Sequence, residues 1–199
     1  QERGLHDRWL GPDIKCRTKD LSVEVVAGFA FTVQWVFDPQ PATEKQRAAK
    51  MVESYPAGGM IVVDTGADEI SGFWGELATT VCLRHGVRGA VINGGAKDSG
   101  FVKKMGFPIF CRFTSPVDGF YRSRLLGWQV PIWFNGTLIR PGDFIVGDSD
   151  GVLAIPQEIA EEVLVEAEGR AASETQTRQL LREGVAADEA SRRTGRGDL

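Results

Sequence analysis

A lysine and an aspartate stand side by side at the end of a short apolar segment of this chain. Residues 89–98 read Gly-Ala-Val-Ile-Asn-Gly-Gly-Ala-Lys-Asp, so the apolar residues run into two glycines and then into Lys97 and Asp98. The apolar part predicts a strand, which places both charged side chains at its carboxyl end. Ligands of open α/β sheets bind beyond such strand ends, and glycine lets a ligand or another backbone segment approach closely. This position is the first candidate for a site.

The segment Gly75-Glu76-Leu77 is the second candidate, because it lies where a loop gives way to a helix predicted over 73–85. Free N–H groups at a helix start bind carboxylates or phosphates. Together with Lys97 and Asp98 they could hold a small carboxylic acid and a hard metal ion, Mg²⁺ or Mn²⁺. Simpler roles stay open: Asp98 as a helix cap, Lys97 as a solvated charge and Glu76 as a first-turn acid that stabilises the helix dipole.

These residues need a βαβ unit to bring them together. The order strand, loop, helix, strand over 60–92 implies parallel pairing with a right-handed crossover. Asp64 and Asn93 then lie at neighbouring strand ends. The sequence predicts strands at 22–36 (bent or split by a bulge or close backbone contact at 27–28), 60–64, 87–92 and 108–113, helices at 43–54 (capped by Thr43), 73–85 and 100–105, and loops at 37–43 and 114–129.

The last third of the chain continues with turns and then helix. Asn135-Gly136 between alternating residues predicts a hairpin over 130–138, and residues 141–156 predict two strands that turn at 148–151. From residue 157 to about 183 the pattern is helical, and the rest is polar. We expect one α/β domain over 1–199, whose helical tail, about 157–199, packs on the body or on a neighbouring subunit.

Other kinds of site are poorly supported. The glycines before Lys97 do not match a phosphate-binding loop, which needs its lysine directly after a glycine and before Ser or Thr. Asp148-Ser-Asp-Gly151 lacks the spacing of a calcium loop and predicts a turn. Cys82 and His85 supply only two zinc ligands, so packing is their expected role. A Gly-x-Ser-x-Gly motif, which a serine hydrolase of the α/β type requires, does not occur.

Composition limits the partners. With 199 residues, 27 acidic against 23 basic side chains and a formal charge of −4, the chain offers no basic face for direct nucleic-acid binding. Its apolar runs are shorter than the ~20 residues of a membrane span. Cys16, Cys82 and Cys111 form no CxxC pair, and no stretch resembles a secretory leader, so we expect reduced thiols and a cytoplasmic protein.

At these motifs the chain resembles the RraA-like family, which includes the 4-hydroxy-4-methyl-2-oxoglutarate aldolases and the regulators of ribonuclease E activity. Five blocks occur in the same order over most of the chain. They are residues 26–33 (VAGFAFTV), 74–77 (WGEL), 86–98 (GVRGAVINGGAKD), 114–116 (TSP) and 141–156 (PGDFIVGDSDGVLAIP).

The resemblance implies an α/β sandwich of the swapped β/β/α type, with a parallel or mixed central sheet, assembled as a homo-trimer or hexamer. It also implies a divalent metal bound by Asp98, with Glu76 holding metal-bound water. The backbone N–H groups of Leu77 and Ala78, next to Gly75, are implied to bind the pyruvate carboxylate. A glutamate from the C-terminal helix of the neighbouring subunit is implied to complete the metal shell through water, and Glu174 is the matching residue here.

The chain departs from the family at two residues of its main motif. The usual Asp-Gly-x-x-Arg-Asp is here Asn93-Gly-Gly-Ala-Lys97-Asp98. Arginine makes a planar two-pronged contact with carboxylate and keto oxygens, whereas lysine is a point charge. We still expect Asn93 and Lys97 to contact the substrate.

The expected function is metal-dependent carbon–carbon bond cleavage of a small 2-oxo acid, by retro-aldol reaction or decarboxylation, with release of pyruvate or a similar product. Charge develops on an enolate oxygen, which a metal ion and Lys97 can stabilise, while Glu76 moves a proton. A Schiff base on Lys97 is an alternative chemistry. A non-catalytic oligomeric regulator of the ribonuclease E type is the alternative function.

Overall fold

The computed structural model describes residues 8–22, 24–38 and 45–195. They divide into two compact units, one ending at Pro156 and the other beginning at Gln157. The first unit alternates strands with helices, which confirms the predicted α/β class. Its strands are β1 Lys15–Cys16, β2 Val26–Phe37, β3 Met60–Asp64, β4 Gly89–Ala96, β5 Ile109–Thr114, β6 Ser123–Trp128, β7 Ile132–Phe134, β8 Thr137–Ile139, β9 Phe144–Gly147 and β10 Val152–Ile155. Its helices are α1 Lys45–Glu53, α2 Glu76–His85 and α3 Ser99–Met105.

The central sheet is mixed and has eight strands. Seven follow the order β1-β5-β4-β3-β2-β9-β10, and β6 pairs with β2. The pairs β2–β3, β3–β4 and β4–β5 are parallel, as the βαβ pattern predicts. The pairs that β2 forms with β6 and β9 are antiparallel. Strands β7 and β8 form the separate hairpin predicted around Asn135-Gly136.

Alternate residues of the central strands pack into two different hydrophobic clusters. Ile61 and Val63 of β3 join the cluster that includes Met51 of α1 and Cys82 of α2. Met60 and Val62 of the same strand join the other cluster, which the β7–β8 hairpin and β9 complete. All residues of β3 and β4 are buried. Burial on both faces explains why these strands are continuous apolar runs rather than alternating ones.

Gly28 marks a close backbone contact within β2. A Cβ atom built there would fall 2.3 Å from the carbonyl oxygen of Gly58, so only glycine fits. The irregularity of β2 lies instead between Gln34 and Trp35, where its register with β6 shifts. The sequence predicted either a bulge or a close backbone contact at residues 27–28, and the structure supports the close contact.

Several helix and strand boundaries differ from the predicted ones, and the sequence did not predict two of the strands and one of the helices. Helix α2 begins at Glu76 rather than Phe73, because the backbone of residues 72–74 pairs with β4. Strand β4 continues through its glycines to Ala96, since Gly95 and Ala96 pair with β5. The predicted loop at 114–129 contains β6, and β1 and the last helix, α5 Ala187–Thr194, were also missed. Thr43 lies outside the described residues.

The C-terminal unit is helical. Its main helix, α4 Ala160–Arg182, agrees with the predicted helical tail, and α5 packs against it. The Ser173 hydroxyl donates to the Thr194 carbonyl oxygen at 2.8 Å, and the hydroxyls of Thr177 and Thr194 are 2.7 Å apart. None of the described helices is long and apolar enough to cross a membrane.

Candidate active site

A row of polar side chains crosses three neighbouring strands, with Asp64 and Asn93 buried and Gln34 half-buried. Gln34 of β2 pairs with Asp64 of β3, which pairs with Asn93 of β4. Asn93 donates its amide to Asp64 Oδ1 at 2.9 Å, and Gln34 donates to Asp64 Oδ2 at 2.5 Å. These bonds compensate the burial of the Asp64 carboxylate. The predicted adjacency of Asp64 and Asn93 is therefore confirmed, whereas substrate binding by Asn93 stays a prediction.

The segment before α2 lies along the last residues of β4. Phe73 N–H donates to the Gly95 carbonyl at 2.8 Å, and Lys97 N–H donates to the Trp74 carbonyl at 2.6 Å. The Trp74 indole donates to the Thr79 hydroxyl at 3.0 Å and so ties this segment to the helix that follows. These hydrogen bonds place the start of α2 next to Lys97 and Asp98.

The side chain of Asp98 does not cap the helix that follows it. Its φ of 55° is left-handed, a conformation rare in residues other than glycine, and its side chain makes no capping hydrogen bond to α3. Its Oδ2 atom instead accepts a long hydrogen bond of 3.3 Å from the backbone N–H of Glu76. Asp98 occupies the N-cap position of α3, but capping by its side chain is wrong, because the carboxylate faces the start of α2.

Gly75 is required where Asp98 meets α2. A Cβ atom built on Gly75 would fall 2.4 Å from Asp98 Oδ2 and 3.0 Å from Lys97 Cγ. The backbone of Gly75 is extended, so the requirement is for space and not for an unusual φ angle. Any larger residue must displace the carboxylate or the helix start.

The first turn of α2 presents unpaired donors. Thr79 N–H donates to the Gly75 carbonyl, whereas the N–H groups of Leu77 and Ala78 have no acceptor within residues 8–22, 24–38 and 45–195. The Leu77 side chain is 81% exposed and Glu76 is also exposed. Unpaired donors at the positive end of a ten-residue helix can bind a carboxylate.

Lys97 makes an ion pair that the sequence did not indicate. Its Nζ atom lies 2.7 Å from Oδ2 of Asp118, and the two side chains are 28% and 34% exposed. Asp118 was missed because it is 21 residues away in a segment predicted to be a loop. Only an Asp-Gly turn pattern marks it in the sequence, and that pattern carries no information about Lys97.

Lys97 and Asp98 line a cleft of about 570 Å³. Its remaining lining comes from the last residue of β4, from α3 and from residues 114–116 at the end of β5. The other lining residues are Ala96, Ser99, Gly100, Phe101, Lys104, Thr114, Ser115 and Pro116.

The donors present suit a weakly held hard cation rather than a preformed metal cage. Within the described residues, no group of three or more His, Cys, Asp or Glu side chains converges. Mg²⁺ commonly keeps several waters and uses one or two protein carboxylates together with the ligand. Asp98 fits that role because the only hydrogen bond that its carboxylate makes to the described residues is the long one from Glu76 N–H. Glu174 lies exposed on α4 of the C-terminal unit.

The turn at Asp148 and the pair Cys82 and His85, for which the sequence predicts structural roles, make contacts that fit those roles. Asp148 Oδ1 accepts from Asp150 N–H at 2.8 Å and from Gly151 N–H at 3.3 Å, which forms the predicted turn. His85 Nδ1 lies 3.1 Å from the Tyr55 carbonyl oxygen, and burial raises the pKa of the Cys82 thiol to about 12. Cys82 is fully buried in a hydrophobic cluster, and within the described residues no third His, Cys, Asp or Glu side chain joins the pair to form a possible metal site, so its packing role is supported.

Comparison with known proteins gives consistent relationships. The model of the RraA-like family, described as Aldolase/RraA, matches residues 4–154. A provisionally named 4-hydroxy-4-methyl-2-oxoglutarate aldolase of Halalkalibacterium halodurans is 34% identical over 162 residues, which make up 81% of this chain and 74% of that protein. Protein DlpA of Legionella pneumophila is 31% identical over 139 residues, which cover 70% of this chain but only 23% of DlpA.

A solved structure has a similar fold. Streptomyces coelicolor RraAS2, described as an unusual member of the RNase ES inhibitor RraA protein family, superposes with a TM-score of 0.79 at 26% identity. The superposition covers 89% of this chain and 87% of RraAS2.

Proposed function

This chain belongs to the RraA-like family, and from that premise we propose that it is a divalent-metal-dependent carbon–carbon lyase acting on a small 2-oxo acid. The observation that carries the proposal is that the start of α2, with its unpaired N–H groups, meets a carboxylate and an ammonium group just after β4. The N–H groups are those of Leu77 and Ala78, the carboxylate is that of Asp98, which accepts from Glu76 N–H, and the ammonium group is that of the adjacent Lys97. Such a set can hold a cation and a 2-oxo acid next to each other.

In this proposal the substrate carboxylate accepts hydrogen bonds from Leu77 and Ala78 N–H at the start of α2. This orients the 2-oxo group toward Lys97. Cleavage of the bond between C3 and C4 sends its electron pair toward the C2 oxygen, and the Lys97 ammonium stabilises the negative charge that develops there. A divalent ion held by Asp98 would supply further Lewis-acid stabilisation of that oxygen when bound.

Glu76 moves the protons in this scheme. Its exposed carboxylate is at the first position of α2, next to the proposed carboxylate cradle. In a retro-aldol reaction a base removes the C4 hydroxyl proton, and an acid then protonates C3 to give pyruvate. Decarboxylation needs only the second step, because CO₂ is the leaving group. A Schiff base on Lys97 has less support, since an ammonium in an ion pair has no lone pair to attack a carbonyl.

The test is pyruvate release from the purified chain. Oxaloacetate and 4-hydroxy-4-methyl-2-oxoglutarate are supplied with Mg²⁺, with Mn²⁺ and with excess chelator, and pyruvate is followed with lactate dehydrogenase. We expect turnover that is lost with chelator and restored by adding the metal back. Turnover that persists in chelator would reject the metal, and no turnover with either substrate and either metal would reject the lyase.

We further propose that the chain is a homo-trimer or hexamer in which Glu174 of one subunit completes the site of the next. Mixing two impaired variants tests this sharing directly. Asp98→Asn and Glu174→Gln, refolded together, should regain activity above either variant alone, because mixed oligomers contain some sites with neither substitution. A native mass showing only monomer, or no recovery on mixing, would contradict it.

A second candidate function is that of a non-catalytic oligomeric regulator, which the similarity to Streptomyces coelicolor RraAS2 favours. This function predicts no pyruvate release under any metal condition, together with a lowered rate of RNA cleavage by a ribonuclease E type enzyme. The two outcomes are measured separately, so each candidate can fail without the other.

A further inference from the structure

Lys97 is the residue at which this chain replaces the arginine usual in its family. A guanidinium is a rigid planar fork that orients its own donors, whereas an ammonium is a point charge on a flexible four-carbon stem. A lysine that must present its charge at one place in a cleft therefore needs an external partner to hold it.

Asp118 is placed to be that partner. Its Oδ2 atom accepts from Lys97 Nζ at 2.7 Å, and its Oδ1 atom accepts from Phe120 N–H at 2.9 Å. One carboxylate oxygen thus holds the lysine while the other is fixed to its own backbone. Both side chains are about one-third exposed or less, so water only partly screens the pair.

The backbone on either side fixes the pair further. Gly72 N–H donates to the Val117 carbonyl at 2.7 Å, and Gly119 N–H donates to the Gly72 carbonyl at 3.3 Å. The segment that carries Asp118 is therefore bonded to the segment that leads into Gly75 and α2. The acid that holds Lys97 and the proposed carboxylate cradle belong to one hydrogen-bonded frame.

We propose that Asp118 is a positioning residue that holds the Lys97 ammonium at the cleft, so that lysine can do the work of the usual arginine. An ammonium has three N–H donors, and the pair uses one, which leaves donors for a substrate oxygen. This inference rests on the proposed function only where it concerns turnover, because the pairing itself can be measured without substrate.

The first measurement is the kinetics of oxaloacetate decarboxylation. Asp118→Asn should lower kcat about tenfold, because a charge-assisted hydrogen bond is lost. KM should change less, because the α2 N–H groups still bind the substrate carboxylate. Asp118→Glu should recover part of kcat. In a Lys97→Arg background Asp118→Asn should change kcat by at most about twofold, because arginine orients itself.

The second measurement is the acetylation rate of Lys97, followed by peptide mass spectrometry at limiting acetic anhydride. Acetic anhydride reacts with the neutral amine, whereas the ion pair holds Lys97 as an ammonium without a lone pair, so this rate should rise several-fold in Asp118→Asn. Oxalate, a planar anion resembling the pyruvate enolate, should protect Lys97 less than in the wild type. Glu24→Gln is the matched control, since Lys19 Nζ pairs with Glu24 at 2.5 Å. It should raise labelling of Lys19 and leave Lys97 labelling and turnover unchanged.

The two measurements test the proposed lyase function and the pairing of Asp118 with Lys97 separately. A wild type that releases no pyruvate rejects the proposed function, and the labelling ratio then still decides the pairing. Unchanged Lys97 labelling in a folded Asp118→Asn variant overturns the inference whatever the activity. So does an equal loss of kcat in the wild-type and Lys97→Arg backgrounds, because it shows a general structural role.

Discussion

Asp98 and Asp148 both follow a strand, yet they are used in opposite ways. Asp148 comes after β9 and accepts hydrogen bonds from Asp150 and Gly151 of its own turn. Asp98 comes after β4, and its carboxylate makes no hydrogen bond to its own helix but accepts one long bond from the backbone N–H of Glu76, 22 residues earlier. A carboxylate that its own turn satisfies stabilises that turn. A carboxylate that faces the positive end of another helix remains available to a ligand.

The backbone shows the same difference. The Asp148 turn closes on itself, with Asp148 N–H donating to the Gly151 carbonyl at 3.0 Å. Asp98 is held at a φ of 55°, and Gly75 leaves just enough space for its carboxylate. Unfavourable backbone conformations persist where the surrounding structure imposes them, and they cluster at functional sites. Two aspartates that both follow a strand therefore differ in role because the hydrogen-bond donors to their carboxylates lie in different places. The donors to Asp148 belong to its own turn, and the donor to Asp98 belongs to α2.

The largest expected effect is on Asp98. Asp98→Asn should lower kcat/KM for oxaloacetate about 100-fold or more, because it removes the carboxylate proposed to hold the divalent ion. The free energy of unfolding should change by less than about 0.5 kcal/mol, because the residue is exposed and asparagine tolerates the left-handed conformation. Pyruvate release and urea unfolding measure the two quantities. Full activity in Asp98→Asn would remove the distinction between the two aspartates.

A smaller loss is expected when Asp98 is displaced rather than replaced. Gly75→Ala puts a Cβ atom only 2.4 Å from Asp98 Oδ2, which is closer than the two atoms can approach. Activity should fall about 10- to 100-fold from misplacement, and stability by about 1–3 kcal/mol from overpacking. Gly127→Ala is the matched control, since its Cβ would meet Val130 only at 3.6 Å. Equal effects of the two substitutions would show that Gly75 is not specially required.

The smallest effect is expected at Asp148. Asp148→Asn weakens hydrogen bonds to two N–H groups of its turn, so the free energy of unfolding should fall by about 1 kcal/mol or less. Pyruvate release should stay at the wild-type value. This is the reverse of the pattern expected for Asp98→Asn, and both variants make the same chemical change. Lost activity with unchanged stability in Asp148→Asn would invert the assignment.

Much of the fold could be predicted because its signals are local. The apolar runs of β3 and β4 and the Asn135-Gly136 hairpin depend on side-chain periodicity and turn chemistry within a few residues. The missed elements depend on distant partners. Strand β6 forms against β2, about 90 residues earlier in the sequence, and Phe73 and Trp74 leave the helical pattern because their backbone bonds to the end of β4 and to Lys97.

Some residues of the candidate site could likewise be predicted from local patterns, and others could not. Lys97, Asp98 and the start of α2 were found from residue types and order, since the carboxyl ends of parallel strands meet at one edge of a sheet. Asp118 and the role of Gly75 were not, because neither the ion pair nor the lack of space for a Cβ atom has a pattern in the sequence.

The sequence by itself determined the α/β class, the parallel βαβ unit, the RraA-like family and the strand end where the chemistry is proposed. Those properties follow from local periodicity and from motifs kept in order along the chain. The tertiary structure decided that the Asp98 carboxylate faces α2 instead of capping α3, and that Asp118 pairs with Lys97. The physical reason is that the direction and partner of a charged side chain depend on backbone segments some twenty residues apart, which only folding brings within hydrogen-bond distance.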